Sequence, residues 1–198
     1  QLAEKVAYVP QVHRRTFPYM VKDIVLMGRA HRTNIFSSPD KEDMGIANEA
    51  MEKVGISHLA EEPYTQISGG QCQLVMVARA LAQQPEIIIM DEPTSHLDFK
   101  NELMVLETVV DLIKQNNISV IMATHFPNHA YYFETNNVLT TLALMNNEKF
   151  EKVGSPQQIL NEENIRKIYG VDSKVLNYNI DKTTLIRQIV PLSIVKNA

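Results

Sequence analysis

The apolar positions follow two rhythms. Short β-branched runs, "EKVAYVPQ" (Glu4 to Gln11), "EIIIMDE" and "SVIMAT", read as strands; Pro10 stops the first, and the second ends in Asp91-Glu92-Pro93. Between them the spacing is helical. Val21, Ile24, Val25 and Gly28 recur at steps of three and four, as do Met44, Ala47, Met51 and Val54, with Gly55 closing the second set. Ser38 is the expected N-cap of that second helix, Pro39 its first residue, and Asp40, Glu42 and Asp43 sit at its positive end. A third helical run opens at Ser68-Gly69-Gly70-Gln71 and continues to Gln84, where Pro85 stops it. A fourth spans about Lys100 to Gln115, with Leu103, Leu106, Val109, Val110 and Ile113 inward. Asn136 to Gly154 reads as a hairpin turning at Asn146-Asn147, and Pro156 to Tyr169 as two helical pieces. Val171 to Ala198 is weakly patterned and is assigned no element.

Strand, helix, strand, with polar residues at the strand exits, is the arrangement of an open α/β sheet. The block from Gln11 to Gln84 holds no strand-like stretch and reads as a helical lobe inserted into the sheet domain. Four regions follow: 1–18, a remnant of the N-terminal sheet; 19–84, the lobe; 85–155, the α/β core; and 156–198, a small C-terminal extension. With 44% hydrophobic residues among 198, the chain can bury a sizeable core. A net charge of −4 gives no broad basic face, which argues against wrapping nucleic acid. No apolar run approaches the length that spans a bilayer. The single cysteine, Cys72, cannot form an internal disulfide, which suits a reducing compartment. The chain starts at Gln1 and runs directly into a strand-like stretch, so it is expected to be a piece of a longer protein.

The chemistry collects at a few points. The run "IIIMDE" delivers two carboxylates to the end of a buried strand, where α/β sheets bind ligands. Adjacent strand residues point to opposite faces, so Asp91 and Glu92 divide the work: Asp91 suits a hydrated Mg2+, Glu92 a water to be activated. Taken alone, the pair could equally be solvated acids closing a strand. "PTSHLD" follows as a turn and places Asp98 where a neighbouring subunit could meet it. His125 leaves the next strand and can hydrogen-bond a phosphate oxygen, or be an ordinary surface or core histidine. Gln11 ends its strand the same way, with an amide able to complete a metal's or water's coordination. "SGGQ" supplies Ser68 as N-cap and two residues without Cβ, so a ligand can approach the helix tip closely; an ordinary glycine turn has the same composition.

Five signals in this order resemble an ATP-binding-cassette (ABC) ATPase. "ISGGQ" is similar to the family's signature sequence, with Ile67 where leucine is usual; "IIIMDE" resembles its Walker B strand, "SHLD" its D-loop, His125 its switch histidine and Gln11 its Q-loop glutamine. The likeness runs from about Val6 to Pro156. It implies a partial P-loop NTPase fold, with ATP and Mg2+ as ligands. It also implies a second cassette bound head to tail, membrane permease subunits, an indirect substrate-binding protein, and a place at the cytoplasmic face of the cell membrane. Under it Ser68, Gly69, Gly70 and Gln71 close on the γ-phosphate of ATP held by the other cassette, with Asp98 at the same interface. Glu92 polarises the attacking water, His125 binds the γ-phosphate, Asp91 holds Mg2+ through water, and Gln11 touches the metal and couples to the permease. "DIVLMGR", "DEPTSHLD" and "ATHFPNHA" look most like the ATPase subunits of importers for ferric siderophores, haem or cobalamin, with zinc and manganese importers as near relatives.

The phosphate cradle, G-x-x-x-x-G-K-[ST], is missing: none of the seven glycines is followed by Lys. The expectation is therefore that these residues alone do not hydrolyse ATP. Cys72 stands where relatives carry a basic residue and either weakens the anion site or simply packs in the lobe; Glu148 occupies a turn position where glycine is common. Residues from Phe17 to Arg29 are candidates for permease docking or plain lobe core. Competing readings are a chromosome-maintenance ATPase, disfavoured by the short insertion between Gln11 and Ser68, a soluble translation-associated ABC protein, and a non-catalytic remnant that binds a partner cassette.

Overall fold

The computed structural model of the chain describes residues 2–11, 16–30, 32, 38–181 and 184–195; the expected loop from Asn34 to Ser37 lies outside them. The chain divides into two compact units, 1–124 and 125–198.

In the first unit a short helix α1 (Leu2–Lys5) leads into strand β1 (Val6–Val9), where the sequence suggested a strand without lead-in. Helices α2 (Val21–Leu26), α3 (Lys41–Lys53) and α4 (Gly69–Ala82) build the lobe, and β2 (Ile87–Asp91), α5 (Phe99–Asn116) and β3 (Ser119–Ala123) follow. The three strands form one parallel sheet in the order β1-β2-β3, with Ala7 beside Ile88 and Met90 beside Met122. No strand interrupts the lobe among the described residues. Helix α4 is apolar nearly all round, and ten of its residues are buried, because it packs on α2 and α3 on one side and on β1 and α5 on the other. The first unit's core lies on one face of the sheet, where Ala7, Val9, Ile88 and Met90 are at most 1% exposed. The opposite face carries Tyr8, Ile89 and Ile121 in one register row, at 51%, 37% and 57% exposure.

Three local expectations change. The N-cap of α3 is Asp40, not Ser38: Asp40 accepts from the Asp43 N–H at 2.9 Å, and a carboxylate at that point also answers the helix dipole. Met44, placed on its buried stripe, is half exposed, while Asp43, Ala47, Ala50 and Met51 face inward. On α5 the buried set is Val105, Leu106, Val109, Val110 and Leu112, so Leu103 and Ile113 fall at the margins of the stripe.

The second unit holds α6 (Asn128–Thr135), the hairpin β4 (Leu142–Asn146) and β5 (Lys149–Gly154), α7 (Pro156–Ile159), α8 (Glu162–Tyr169), and a second hairpin, β6 (Val171–Asn179) and β7 (Leu185–Ile194). Ala130, Tyr131, Leu144, Ile159, Leu160, Ile165 and Ile189 form its core, and the Tyr131 hydroxyl donates to the Leu160 carbonyl at 2.7 Å. Helix α6 gave no sequence signal because it lacks a side-chain cap and is rich in aromatics. The β6–β7 hairpin escaped for another reason. A bulge at Asp172/Ser173 and Pro191 within β7 break the alternation that marks a strand. The first hairpin turns at Asn147-Glu148, one residue later than expected; both have positive φ, 48° and 62°, which a glutamate adopts at a cost.

Candidate functional site

The first cluster sits at the tip of α4. Ser68 has extended dihedrals, φ −67° and ψ 164°, and starts the helix with a reciprocal cap. Its Oγ accepts from the Gln71 N–H at 3.3 Å, and its own N–H donates to Gln71 Oε1 at 2.9 Å. The cap uses two of the backbone donors; the Cys72 N–H donates to the Ser68 carbonyl at 2.9 Å and begins the helical ladder. Among the described residues the Gly69 and Gly70 N–H groups have no partner, and they lie at the positive end of a 14-residue helix whose first turn contains no acid. That is the physical requirement for holding an anion. Cys72 is buried, with Sγ 3.8 Å from the Tyr64 carbonyl oxygen, so it packs inside the lobe.

The second cluster sits at the carboxyl end of the sheet. Gln11, just past β1, donates from Nε2 to Glu92 Oε2 at 3.1 Å, bringing together two residues separated by 81 positions. Glu92 has φ +43°, and its backbone N–H donates to the Ala123 carbonyl at 2.9 Å; His96 has φ +62°. Strained backbone at two non-glycine positions of one strand exit is a mark of functional loops. Asp91 Oδ2 accepts from the Tyr8 hydroxyl at 3.1 Å, a contact that sequence reasoning missed. The signal was present: Tyr8 pairs with Ile89, and Asp91 lies two residues further along the same face. Its surroundings and then Asp91 raise the Tyr8 phenol above its usual pKa, so the tyrosine stays a donor to that carboxylate.

Beyond Glu92 the chain turns tightly, the Ser95 N–H donating to the Glu92 carbonyl at 3.0 Å, and Thr94 is buried beneath the turn. Asp98 ends it as the N-cap of α5, its Oδ1 accepting from the Asn101 N–H at 2.8 Å. None of the hydrogen bonds of Ser68 to Gln71 reaches Asp91 or Glu92. The site residues therefore form separate groups within the first unit: the Ser68 turn with the Asp98 cap beside it, and the Gln11–Glu92–Asp91–Tyr8 set. His125 follows β3, is exposed, and belongs to the second unit.

The second set offers hard oxygen donors and little else. No group of three His, Cys, Asp or Glu able to cage a metal occurs among the described residues. One or two carboxylates without a cage fit Mg2+, which keeps its waters and shares phosphate oxygens.

A three-stranded parallel sheet with polar strand exits, carrying a helical lobe whose central helix opens on a neutral glycine cap, defines the α/β P-loop NTPase class in its cassette form. The ABC transporter family matches residues 1–95. The molybdate import ATP-binding protein MolC of Haemophilus influenzae is 36% identical over 169 residues, covering 85% of this chain and 64% of MolC. The achromobactin transport ATP-binding protein CbrD of Dickeya dadantii is 31% identical over 175 residues, covering 88% of this chain and 63% of CbrD. A solved ABC transporter assigned to the metal-chelate type, in an inward-facing conformation, superposes with a TM-score of 0.87 at 34% identity, covering 96% of this chain and 73% of that one. The chain belongs to the ABC transporter ATP-binding family, and it spans just under two thirds of the length of these curated relatives.

Proposed function

We propose that the chain is the larger part of an ATP-binding subunit that drives an ABC importer for a metal chelate. Its carrying observation is the tip of α4: a reciprocally capped helix start with two unpartnered amides, remote in its bonding from the chain's own carboxylates. Such a tip is half of a clamp. In a head-to-tail dimer, the Ser68 hydroxyl and the Gly69 and Gly70 amides meet the γ-phosphate of ATP bound to the other copy, with Asp98 at the same boundary. Glu92 then accepts a proton or hydrogen bond from the water attacking the γ-phosphorus as the bond to the leaving ADP oxygen breaks; Gln11, already bonded to Glu92, orients that carboxylate. Asp91, with Gln11, would hold Mg2+, which neutralises phosphate charge when bound, and Tyr8 orients Asp91.

No helix of the described residues is long and apolar enough to cross a membrane. In the proposed role the cassette works on permease subunits. The exposed Phe17, Tyr19, Met20 and Met27 of the lobe suit that contact at the cytoplasmic face, with a substrate-binding protein acting on the far side. The metal-chelate type of the matched transporter and the chelate-transport name of CbrD, achromobactin, support a metal-chelate cargo, for which the resemblance suggests a ferric siderophore, haem or cobalamin; the name of MolC supports molybdate as the second reading.

Without a Gly-Lys cradle, the 198 residues alone turn over no ATP. The test is a cassette completed with the G-x-x-x-x-G-K-[ST] segment of a relative and reconstituted with permease in vesicles. It hydrolyses ATP, Glu92→Gln lowers turnover by roughly 100-fold or more, and a ferric chelate but not molybdate stimulates it. Turnover by the uncompleted chain, or an inert completed cassette, overturns the reading; inertness favours the non-catalytic remnant.

A further inference from the structure

Gly70 is glycine for a reason other than ligand access. It is buried, and the space a side chain would need there is filled by Asn101 of α5: a methyl on Gly70 would lie 2.7 Å from Asn101 Cβ and nearer still to its amide oxygen. Carbon atoms in contact sit about 3.5–4.0 Å apart. Because the crowding includes Asn101 Cβ, rotating its amide does not relieve it; the first turn of α5 or of α4 must move. Asn101 is itself fixed, since its N–H donates to Asp98 Oδ1 at 2.8 Å. The other end of α4 is seated in the same manner, a side chain at Gly28 being excluded by the Arg79 carbonyl and standing 3.2 Å from Ala82 Cβ.

We propose that Asn101 is a positioning residue for the Ser68–Gln71 turn. Through Gly70 it locks the direction of the Gly69 and Gly70 amides to the Asp98 cap, so that these two segments move as one piece. The inference rests on the proposed function only for what the turn contacts, not for the lock.

The test is a double-mutant cycle on the 198-residue chain, read by thermal unfolding and by amide exchange at Cys72, whose N–H closes the turn onto the Ser68 carbonyl. Gly70→Ala lowers the melting temperature by about 5 °C and speeds Cys72 exchange about tenfold. In an Asn101→Gly background, which opens the space, Gly70→Ala loses most of both effects. Equal damage in both backgrounds, or harmless substitution in both, overturns the lock. Should Gly70→Ala fail to fold, Asn101→Gly alone decides the question, because it removes the Cβ that crowds Gly70: it speeds Cys72 exchange with little effect on α5 beyond its first turn, and unchanged exchange refutes the proposal. In a cassette completed with a relative's phosphate loop, Asn101→Gly lowers kcat about tenfold with KM for ATP little changed. If Ser68→Ala slows that cassette and Asn101→Gly does not, the positioning role is wrong. If the cycle shows rescue but turnover ignores Ser68→Ala, the lock stands and the proposed function falls.

Discussion

Helices α3 and α4 begin with the same knot tied from opposite chemistries, one acidic and one neutral. In each, the N-cap side chain accepts from the third residue's amide, and the third residue's side chain accepts from the N-cap amide. In α3 both partners are carboxylates, Asp40 and Asp43, with Glu42 between them, so the positive end of the helix is neutralised from within. In α4 both are neutral, Ser68 and Gln71, and the first turn contains no acid. Cap geometry stabilises a helix whichever chemistry supplies it, whereas the charge of the cap decides whether the tip stays available to an outside anion.

The largest expected effect comes from attacking the seat that both helices share. Arg29 is fully buried: Nε donates to Asp43 Oδ1 at 2.9 Å, and Nη1 donates to the Ala82 carbonyl at 2.9 Å and to Gln84 Oε1 at 3.1 Å. One guanidinium thus joins the start of α3 to the end of α4. Arg29→Leu leaves a carboxylate and a carbonyl without their donor and should cost about 3–5 kcal/mol, read as a lower urea midpoint at unchanged m. A loss below about 1 kcal/mol would show that apolar packing alone seats α4.

Transplanting the acidic cap comes next. Ser68→Asp with Gln71→Glu gives α4 the cap chemistry of α3. The helix should keep or gain stability, by about 0.3–1 kcal/mol, while a cassette completed with a phosphate loop loses about 100-fold in ATP turnover. Stability and activity moving apart is the signature of a tip kept neutral for a ligand; turnover that survives means the tip faces no anion. Smaller again are the simple cap deletions. Asp40→Ala and Ser68→Ala each cost about 0.5–2 kcal/mol, with Asp40 the larger because its bond to the third amide is 2.9 Å against 3.3 Å for Ser68. Thermal denaturation of the two variants side by side orders them, and the reverse order would show that charge assistance counts for little here.

Of these two helix starts the sequence displayed that of α4 better. Ser68-Gly69-Gly70-Gln71 before an apolar run marks cap, tip and helix at once, and the structure places all three as expected. The start of α3 misled because Ser38-Pro39 and Asp40 are both lawful openings, and only the third amide's choice of Asp40 decides between them. Strands β2 and β3 were legible from continuous apolar runs, and so was the place of Gln11 and Glu92 at strand exits, whereas their bond to each other shows only in the fold. What stayed hidden depends on pairing across the fold. Tyr8 meets Asp91 only once the parallel register of β1 and β2 is known, Asn101 meets Gly70 only once α5 packs on α4, and the β6–β7 hairpin draws its order from a bulged partner strand.

The two caps should also part company in acid. Asp43 is held below the usual aspartate pKa of 3.8, first by its hydrogen bond from Arg29, with the Asp40 amide and nearby arginine charge adding to this against the opposing effect of burial. A carboxyl whose pKa is lower folded than unfolded adds stability that is fully present above the unfolded value and disappears as pH falls through the folded one. The α3 cap and the Arg29 tie therefore weaken below about pH 4, whereas the Ser68–Gln71 cap contains nothing that titrates there. Amide protection factors corrected for intrinsic exchange should fall at the Asp40 N–H, which donates to Asp43 Oδ2, as pH drops below about 4, while those at the Gln71 N–H hold until the unit unfolds. Asp43→Asn should flatten the α3 response and lower its plateau. Were Gln71 to lose protection first, the neutral tip would be drawing its order from the acidic one through Arg29, and the two caps would be one device rather than two.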